Sequence, residues 1–399
     1  MERLDCTNLD YSVQYAEMYK DRTLRLGREL EKYLGGLGYT KSTTPMEQET
    51  LLIGCISITT ARASVAKIIH QIDKVGEVVD PAITEEKEYF IESAEIERIK
   101  LELPADEEKS LISGAVVGLI GQKVGMSFKV TQVIYPITAY TGPQPPVSVG
   151  DSESPPCKRM DFGEQEVVVL PRVNGLGGKK SLLNLFQTRG KVPEKVFLLE
   201  GLVADGGKID GVDKTGKIDV IDKKLSSFGL RELIAGMEKQ VCLIPGAEDY
   251  VPLMVPYTPP SRELLHIGEE CQILTNPAVV TVFGQRVVFC PLAIVKEIMW
   301  YFGSEGSEDI NEYFRAMECI IRCRHISPTS PDRCPTYPLK TDPFVLDTVP
   351  DVLVLCVDKL GPEIRDFAFE NGSVALVVLS SPDKGVLFMR EEGLALEIL

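Results

Sequence analysis

Residues 324–344 hold five prolines between a segment with helical periodicity and a segment with the pattern of a strand. A proline fixes its own φ and pushes the preceding residue towards an extended conformation. Neither a helix nor a central strand tolerates that density of prolines. We therefore predict a rigid, irregular loop with a defined surface, named the proline loop below.

Helical periodicity occurs at the N-terminus and directly before the proline loop. Residues 10–34 predict an amphipathic helix that is stopped by Gly35 and Gly36. Residues 308–325 predict a second helix, with Ser307 as its N-cap. The apolar stripe of the first helix needs a partner surface and consists of Tyr11, Tyr15, Met18, Tyr19, Leu26, Leu30 and Tyr33.

Strand patterns divide the remaining chain into two parts. Short alternating strands between residues 49 and 135 are typical of a small β-barrel. Residues 141–156 are rich in Pro, Ser and Gly, which is the composition of a linker. Beyond the linker, strands that alternate with candidate helices predict an α/β sheet. The strands are expected at residues 166–170, 195–199 and 240–244, and the helices at residues 181–188 and 225–239.

Further strands lie on either side of the proline loop. Residues 279–282 and 286–290 predict a hairpin, and residues 351–357 predict a strand. Two last strands, at residues 373–379 and 386–389, flank a sequence suited to a tight turn. The predicted division is an N-terminal helix (residues 1–40), a barrel domain (41–140), a linker (141–160) and an α/β domain (161–399).

Composition restricts the classes of protein to which the chain can belong. The 399 residues, 44% of them apolar, suit two globular domains. Because no long apolar run and no signal-peptide core occurs, we expect a soluble intracellular protein without membrane contact. A formal net charge of -16 disfavours direct nucleic-acid binding in the absence of a basic patch. The ten cysteines include no Cys-x-x-Cys pair, so we expect reduced core residues.

Two loops resemble ligand sites but fit simpler interpretations. The glycine-rich residues 173–181 follow a strand and precede a helix, yet Val173 stands where a phosphate-binding loop needs glycine. The aspartates of residues 210–222 lack the alternation of a calcium loop, because Val212 takes its third position. We therefore predict a strand-to-helix turn and a solvated acidic loop.

Cys319, Cys323 and His325 have a spacing that permits metal ligation. Both cysteines flank the buried stripe of a predicted helix, however, and a free cysteine packs as a small apolar residue. Core packing is the favoured interpretation. His325 lies at the C-terminal end of that helix, where the helix dipole favours a partly charged imidazole. We interpret it as a residue that caps the helix or anchors the loop.

Two runs at the proline loop carry a family resemblance. They read Ile-Ile-Arg-Cys-Arg-His-Ile-Ser-Pro-Thr-Ser-Pro-Asp at residues 320–332 and Tyr-Pro-Leu-Lys-Thr-Asp-Pro-Phe at residues 337–344. The chain thereby resembles the small B subunits of eukaryotic DNA polymerases, and in these runs those of polymerase delta most closely. Supporting motifs follow in family order at residues 14–19, 97–101, 175–178, 245–249 and 274–277, so the resemblance covers nearly the whole chain.

This resemblance implies an α/β-plus-β protein, with an N-terminal OB-fold barrel and an inactive calcineurin-like phosphoesterase domain. That domain is a two-sheet sandwich flanked by helices. An active binuclear enzyme needs Asp, Asn and His at four strand ends to hold two cations. Here these positions read Val169-Leu-Pro-Arg-Val-Asn174, Glu200-Gly201, Gly246-Ala247-Glu248-Asp249 and Cys356-Val-Asp-Lys359. The resemblance therefore implies no metal, no cofactor and no catalytic residue, although Glu200, Asp249 and Asp358 remain as isolated carboxylates.

The resemblance also implies a function. Such a subunit is a nuclear, non-catalytic scaffold of the polymerase delta complex that holds the C-terminal metal-binding domain of the catalytic subunit and a third, clamp-linking subunit. It supports strand elongation and repair synthesis, and it reaches the sliding clamp and DNA through the complex. Polymerase zeta is left open as a second assembly. The alternatives are an active metallophosphoesterase, the small subunit of polymerase alpha or epsilon, and a single-strand-binding module.

The proline loop supplies the candidate functional residues. They either contact a partner or brace the loop internally, and bracing is the favoured role, because proline-fixed turns and a histidine at a helix end are first of all architectural. The candidates are His325, Pro328, Asp332, Tyr337, Lys340, Asp342 and Phe344.

Overall fold

The computed structural model describes residues 12–60, 87–142, 166–171, 193–202, 234, 239–249, 251–265, 267–357, 360–381 and 384–397. The glycine-rich loop and the aspartates of residues 210–222 lie outside these ranges. So do the helix predicted at residues 181–188 and nearly all of the linker and of the helix predicted at residues 225–239. In the described part of the chain, no helix has the length and apolarity needed to cross a membrane.

The N-terminal helix packs on the barrel. Helix α1 (Ala16–Gly36) begins later than predicted and includes both glycines that were expected to stop it. Leu26, Leu30 and Leu34 of α1 are buried against the outer surface of the barrel. Tyr15, predicted in the apolar stripe, is 40% exposed, because the buried row starts one turn later at Met18.

Five strands close into the predicted barrel in the order β1-β2-β3-β5-β4. Neighbouring strands are antiparallel except β3 and β5, which are parallel. Alternating apolar residues fill the interior, as the sequence pattern predicts. The assignment of this barrel as an OB-fold stays a prediction. The strands are β1 (Thr50–Thr60), β2 (Lys87–Glu92), β3 (Ile99–Glu102), β4 (Val116–Val124) and β5 (Ser127–Ile134).

A six-stranded sheet follows, in the order β16-β15-β6-β7-β8-β9. Strands β6 to β9 are parallel, which confirms the α/β pattern, and β15 joins them antiparallel. The strands are β6 (Val167–Pro171), β7 (Lys195–Leu199), β8 (Val241–Ile244), β9 (Gln272–Ile273), β15 (Val386–Arg390) and β16 (Gly393–Glu397). The short helix α2 (Arg262–Leu265) precedes β9.

A five-stranded sheet has the order β10-β11-β12-β14-β13. It begins with the predicted hairpin and continues with parallel β12 and β14. The strands are β10 (Ala278–Val282), β11 (Gln285–Cys290), β12 (Val352–Cys356), β13 (Glu363–Phe369) and β14 (Gly372–Leu379). Helices α3 (Leu292–Phe302) and α4 (Ile310–Cys323) pack against its outer face.

Of the four apolar clusters in the described residues, two connect the sheets to each other and to the barrel. Side chains of both sheets, such as Phe197 and Phe289 with ring centroids 5.2 Å apart, form one core between them, so the predicted two-sheet sandwich is present. The second core joins the barrel interior, α3, α4 and the outer face of the five-stranded sheet. Because apolar burial supplies most of the driving force for folding, this shared core couples the barrel to the sandwich.

The predicted bounds and N-cap of the helix before the proline loop were wrong. Helix α4 is shorter than the predicted residues 308–325, and its N-cap is Asp309, whose carboxylate accepts from the Asn311 amide at 3.0 Å. The Ser307 hydroxyl instead accepts from the Asp309 amide, in the turn before the helix. Strands β14 and β15 flank the sequence predicted as a tight turn, and they belong to different sheets. The turn between them therefore carries the chain from one sheet to the other.

Candidate functional site

The ends of the proline loop are held together like two strands. Arg324 ends α4 with φ 47°, and the Ile326 amide then donates to the Phe344 carbonyl at 2.8 Å. The Leu346 amide donates to the Arg324 carbonyl at 2.8 Å. This antiparallel pairing closes the loop at its base and fixes the positions of His325 and Asp342 inside it.

The centre of the site is the fully buried guanidinium of Arg22 on α1. Its nitrogens donate to the carbonyl oxygens of Gly114 (3.0 Å), Pro328 (2.7 Å) and Ser330 (2.9 Å). It also makes an ion pair with the Asp342 carboxylate at 2.7 Å. One side chain thus joins the helix, the barrel and two points of the proline loop. A buried arginine satisfied in this way is stable only while all of its partners stay in place.

Asp342 is the buried acidic partner of that guanidinium. Its Oδ2 meets Arg22 and the Nε2 atom of His325, the latter at 3.0 Å, and its Oδ1 accepts from the Phe344 amide at 3.0 Å. Burial alone would raise the pKa of this carboxyl, but Arg22 and the hydrogen bonds outweigh it and hold the pKa well below the ordinary value. Asp342 is therefore ionised at neutral pH.

His325 is neutral in the folded protein, contrary to the partly charged imidazole that the helix dipole predicts. Burial, and after it the nearby positive charge of Arg22, lower its pKa to about 4 against the opposing effect of Asp342. The helix end is fully enclosed here, so desolvation outweighs the dipole. We refer to Arg22, His325 and Asp342 together as the buried triad.

We expect the free energy of unfolding to decrease as the pH falls from about 6.5 to 4. The unfolded chain protonates His325 near its ordinary pKa, whereas the folded chain, with Arg22 and Arg25 nearby, protonates it only near pH 4. The unfolded state thus binds more protons in this window, and about 3 kcal/mol of stability is lost across it. Urea unfolding at several pH values measures this loss.

The His325→Gln variant is the control for this pH dependence. Glutamine keeps an amide donor for Asp342 and does not titrate. Asp342 itself loses its contribution only at a lower pH, because its folded pKa is depressed below the ordinary value. The variant should show a flatter stability profile between about pH 6.5 and 4. Equal losses in wild type and variant would contradict a neutral buried His325.

A half-exposed shell of ion pairs surrounds the buried triad. Arg25 donates to the Asp342 carbonyl at 2.9 Å and pairs with Asp347 at 2.5 Å. Asp21 accepts from the Asp342 amide at 2.9 Å. Arg324, fully buried, pairs with Glu29 of α1. Three successive turns of α1 therefore contact the proline loop. The partner surface of this helix thus includes the proline loop as well as the barrel.

Of the other candidate residues in the proline loop, some are buried and some are exposed. Pro328, Tyr337 and Phe344 are buried together with the triad, and the Phe344 ring centroid lies 6.1 Å from that of His325. Asp332 and Lys340 are exposed. The structure thus gathers five of the seven candidates inside the loop, and it leaves two on the surface.

Other contacts fasten the far side of the loop to the sandwich. The Val255 amide donates to the Pro335 carbonyl at 2.9 Å, and the Thr336 hydroxyl donates to the Val255 carbonyl at 2.6 Å. Arg333 pairs with Glu297 of α3 at 2.6 Å and lies over the Trp300 ring at 3.7 Å. These bonds attach the loop to α3 and to the segment that follows β8.

Of the four strand ends compared with the ligand positions of an active phosphoesterase, the structure describes two in full, those after β7 and β8. Glu200 follows β7, is buried and has φ 59°. Asp249 follows β8, is fully buried, and its carboxylate accepts from the Gly246 amide at 2.7 Å. Arg172, Asn174 and residues 358–359 lie outside the described ranges. Among the described residues, no group of three or more His, Cys, Asp or Glu is arranged to hold a metal ion.

Cys319 and Cys323 lie on the buried face of α4 with their sulfur atoms 3.9 Å apart. His325, the third residue of that spacing, is turned into the buried triad instead. No cysteine in the described ranges forms a disulfide, and all of them are buried, which confirms the predicted core packing for them.

The sequence pattern did not single out Arg22 and Gly114, which lie at the centre of the site. Arginine normally marks the solvent face of a helix, so periodicity assigns Arg22 to the surface. Its position is nevertheless four residues after Met18 and four before Leu26, in the buried row itself. A cation inside an apolar row is the signal that identifies it. Gly114 has φ 87° and lies against the Pro328 carbonyl, which sequence alone does not indicate.

Comparisons with known proteins agree with the family resemblance. Residues 200–362 match the family of DNA polymerase alpha/epsilon B subunits. The DNA polymerase II small subunit of Halobacterium salinarum is 28% identical over 182 residues, which cover 43% of this chain and 34% of that protein. The DNA polymerase delta small subunit of Saccharomyces cerevisiae is 24% identical over 310 residues, covering 68% of this chain and 61% of that protein.

The chain thus spans about a third of the length of the archaeal relative. Among solved structures, the Escherichia coli phosphoesterase YfcE is similar over 59% of this chain and 93% of its own, with 10% identity and a TM-score of 0.29. The family match over residues 200–362 and the two named small subunits show that this chain is similar to DNA polymerase B, or small, subunits.

Proposed function

We propose that the chain is the non-catalytic scaffold subunit of a DNA polymerase delta complex. The observation that carries the proposal is the buried triad within the two runs that resemble the delta small subunits. These runs supply His325 and Asp342, and they fasten α1, the barrel and the sandwich to one another. A body braced in this way offers a preformed surface, which lowers the entropic cost of binding a partner.

The proposed partners are the C-terminal metal-binding domain of the catalytic subunit and a third, clamp-linking subunit. The sliding clamp and DNA are reached through the complex, in the nucleus, during elongation and repair synthesis. Polymerase zeta is a second proposed assembly. The delta small subunit of Saccharomyces cerevisiae, matched over 68% of this chain, supports the delta assignment over the alpha and epsilon alternatives.

We also propose a role for each part of the chain. The barrel (residues 41–140) is an OB-fold domain, and residues 161–399 form an inactive calcineurin-like phosphoesterase domain behind a linker at residues 141–160. The Gly246 amide already engages the Asp249 carboxylate that would otherwise face a cation. Within the proline loop, His325, Pro328, Tyr337, Asp342 and Phe344 brace the fold, which their burial supports.

Co-expression tests this function. We expect the full chain to co-purify with the C-terminal region of the polymerase delta catalytic subunit and to remain bound during size-exclusion chromatography. The same preparation should not hydrolyse bis-p-nitrophenyl phosphate in manganese, because the paired ligand set of a binuclear site is missing. Turnover together with two bound metal ions per chain would instead establish the enzyme alternative.

A further inference from the structure

A groove of about 920 Å³ separates α1 from one side of the barrel. One wall is α1 from Ala16 to Glu31, and the other is β1 with the β2–β3 turn. The floor is apolar, since Ile53, Cys55 and Ile56 are buried there. We call this feature the helix–barrel groove. None of the three triad residues lines it, and the scaffold function proposed above does not use it.

Charged side chains line the rim, and both of its lysines are paired with carboxylates. Lys41 lies 2.7 Å from Glu95 and 3.9 Å from Glu31, which closes one end. Lys20 pairs with Glu17 at 2.7 Å. These cations are compensated, so they offer little to a ligand.

Two arginines on the groove walls are not compensated. In the described ranges, neither Arg28 of α1 nor Arg98 of the β2–β3 turn has a carboxylate within 4.0 Å. Arg98 lies over the Phe90 ring at 4.1 Å, which orients its guanidinium. Two unpaired arginines are notable in a chain with a net charge of -16. A guanidinium binds a carboxylate through paired hydrogen bonds.

An exposed leucine stands on the same wall as Arg28. Leu24 is 50% exposed and lies outside the buried row of α1, which runs through Met18, Arg22 and Leu26. Leu24 and the apolar floor residues therefore line the same groove, together with the charged side chains of the rim. An apolar surface with polar edges is the usual anatomy of a peptide-binding groove.

We propose that the helix–barrel groove binds a short segment of a partner protein in which acidic side chains flank an apolar one. The apolar side chain meets Leu24 and the floor, and the carboxylates meet Arg28 and Arg98. Besides Glu31 and Glu95, which pair with Lys41, the acidic residues Glu92 and Asp332 line the groove and argue against a polyanion. The closely spaced charges of a phosphate backbone would be repelled by both residues. In a peptide the carboxylates are farther apart, so they can contact the arginines without approaching these acids.

Fluorescence anisotropy with labelled peptides tests the proposal. The probes are a nonapeptide of alternating Asp and Leu, its Lys and Leu counterpart, and a thymidine oligonucleotide. We expect saturable binding of the acidic peptide to the full chain, weakened by salt, and no saturable binding of the basic peptide. Leu24→Asp should weaken binding at least about tenfold, and Arg28→Glu or Arg98→Glu about fivefold to tenfold each.

Leu253→Asp is the matched control, because Leu253 is 76% exposed and does not line the groove. It should leave the affinity unchanged. All four variants alter exposed side chains, so their thermal unfolding should match that of wild type. Equal affinity of the wild type and Leu24→Asp would overturn the proposal, and so would tighter binding of the oligonucleotide than of the acidic peptide.

Discussion

The Asp342→Ala variant is expected to lose about 3–5 kcal/mol of unfolding free energy. Removing the carboxylate leaves the Arg22 guanidinium buried with no counter-charge, while its three carbonyl partners compensate only its hydrogen-bonding needs. The Nε2 atom of His325 and the Phe344 amide lose their acceptor as well. Chemical denaturation of the full chain at neutral pH measures the loss.

Two comparisons isolate the buried ion pair. Asp347→Ala removes a carboxylate that also pairs with an arginine of α1 but is 69% exposed, so its cost should stay below about 1 kcal/mol. In a double-mutant cycle, adding Arg22→Met to Asp342→Ala should cost much less than Arg22→Met alone. The uncompensated charge is then absent. Additive costs would mean that the two side chains contribute independently.

Gly114→Ala is expected to cost about 2–5 kcal/mol. A Cβ at this position would overlap the Pro328 carbonyl oxygen, which is backbone and cannot rotate away, and would reach within 3.0 Å of an Arg22 nitrogen. The residue also has φ 87°, which disfavours any side chain. The substitution therefore pushes the barrel away from the proline loop and disturbs the triad at the same time. Thermal and chemical unfolding measure the cost.

Gly125 provides the matched control for that substitution. It has φ 61° in the β4–β5 hairpin, and a Cβ there would meet no atom within 4 Å. Gly125→Ala thus carries the backbone strain without the overlap and should cost about 1–2 kcal/mol. If the two alanine variants were equally stable, the close approach of the barrel to the proline loop would not hold the fold together.

Local patterns predicted many of the helices and strands, because the periodicity of apolar residues within a short segment indicates which of the two it forms. The barrel strands alternate, the α/β strands are short apolar runs, and α4 repeats its apolar residues at helical spacing. Helix α3 was missed for the opposite reason: Leu292 to Phe302 is apolar nearly all round, so it shows no amphipathic period. Strand β13 was missed because it is a half-exposed edge strand that carries Arg365 and Asp366.

The candidate site was predicted in part. Proline density located the loop, and the favoured bracing role is supported by the burial of His325 and Asp342. The sequence did not indicate what they bind, since the Arg22–Asp342 contact joins residues 320 positions apart. The helix dipole also did not predict that the His325 imidazole is neutral. Its charge state depends on burial beside Arg22 of α1, which is distant in sequence.

Light scattering coupled to size-exclusion chromatography is the decisive experiment for the scaffold function. The full chain would be mixed at micromolar concentration with the C-terminal metal-binding region of the polymerase delta catalytic subunit. We predict a single species with the mass of one copy of each. Two separate peaks, from proteins that are both shown to be folded, would contradict the scaffold function.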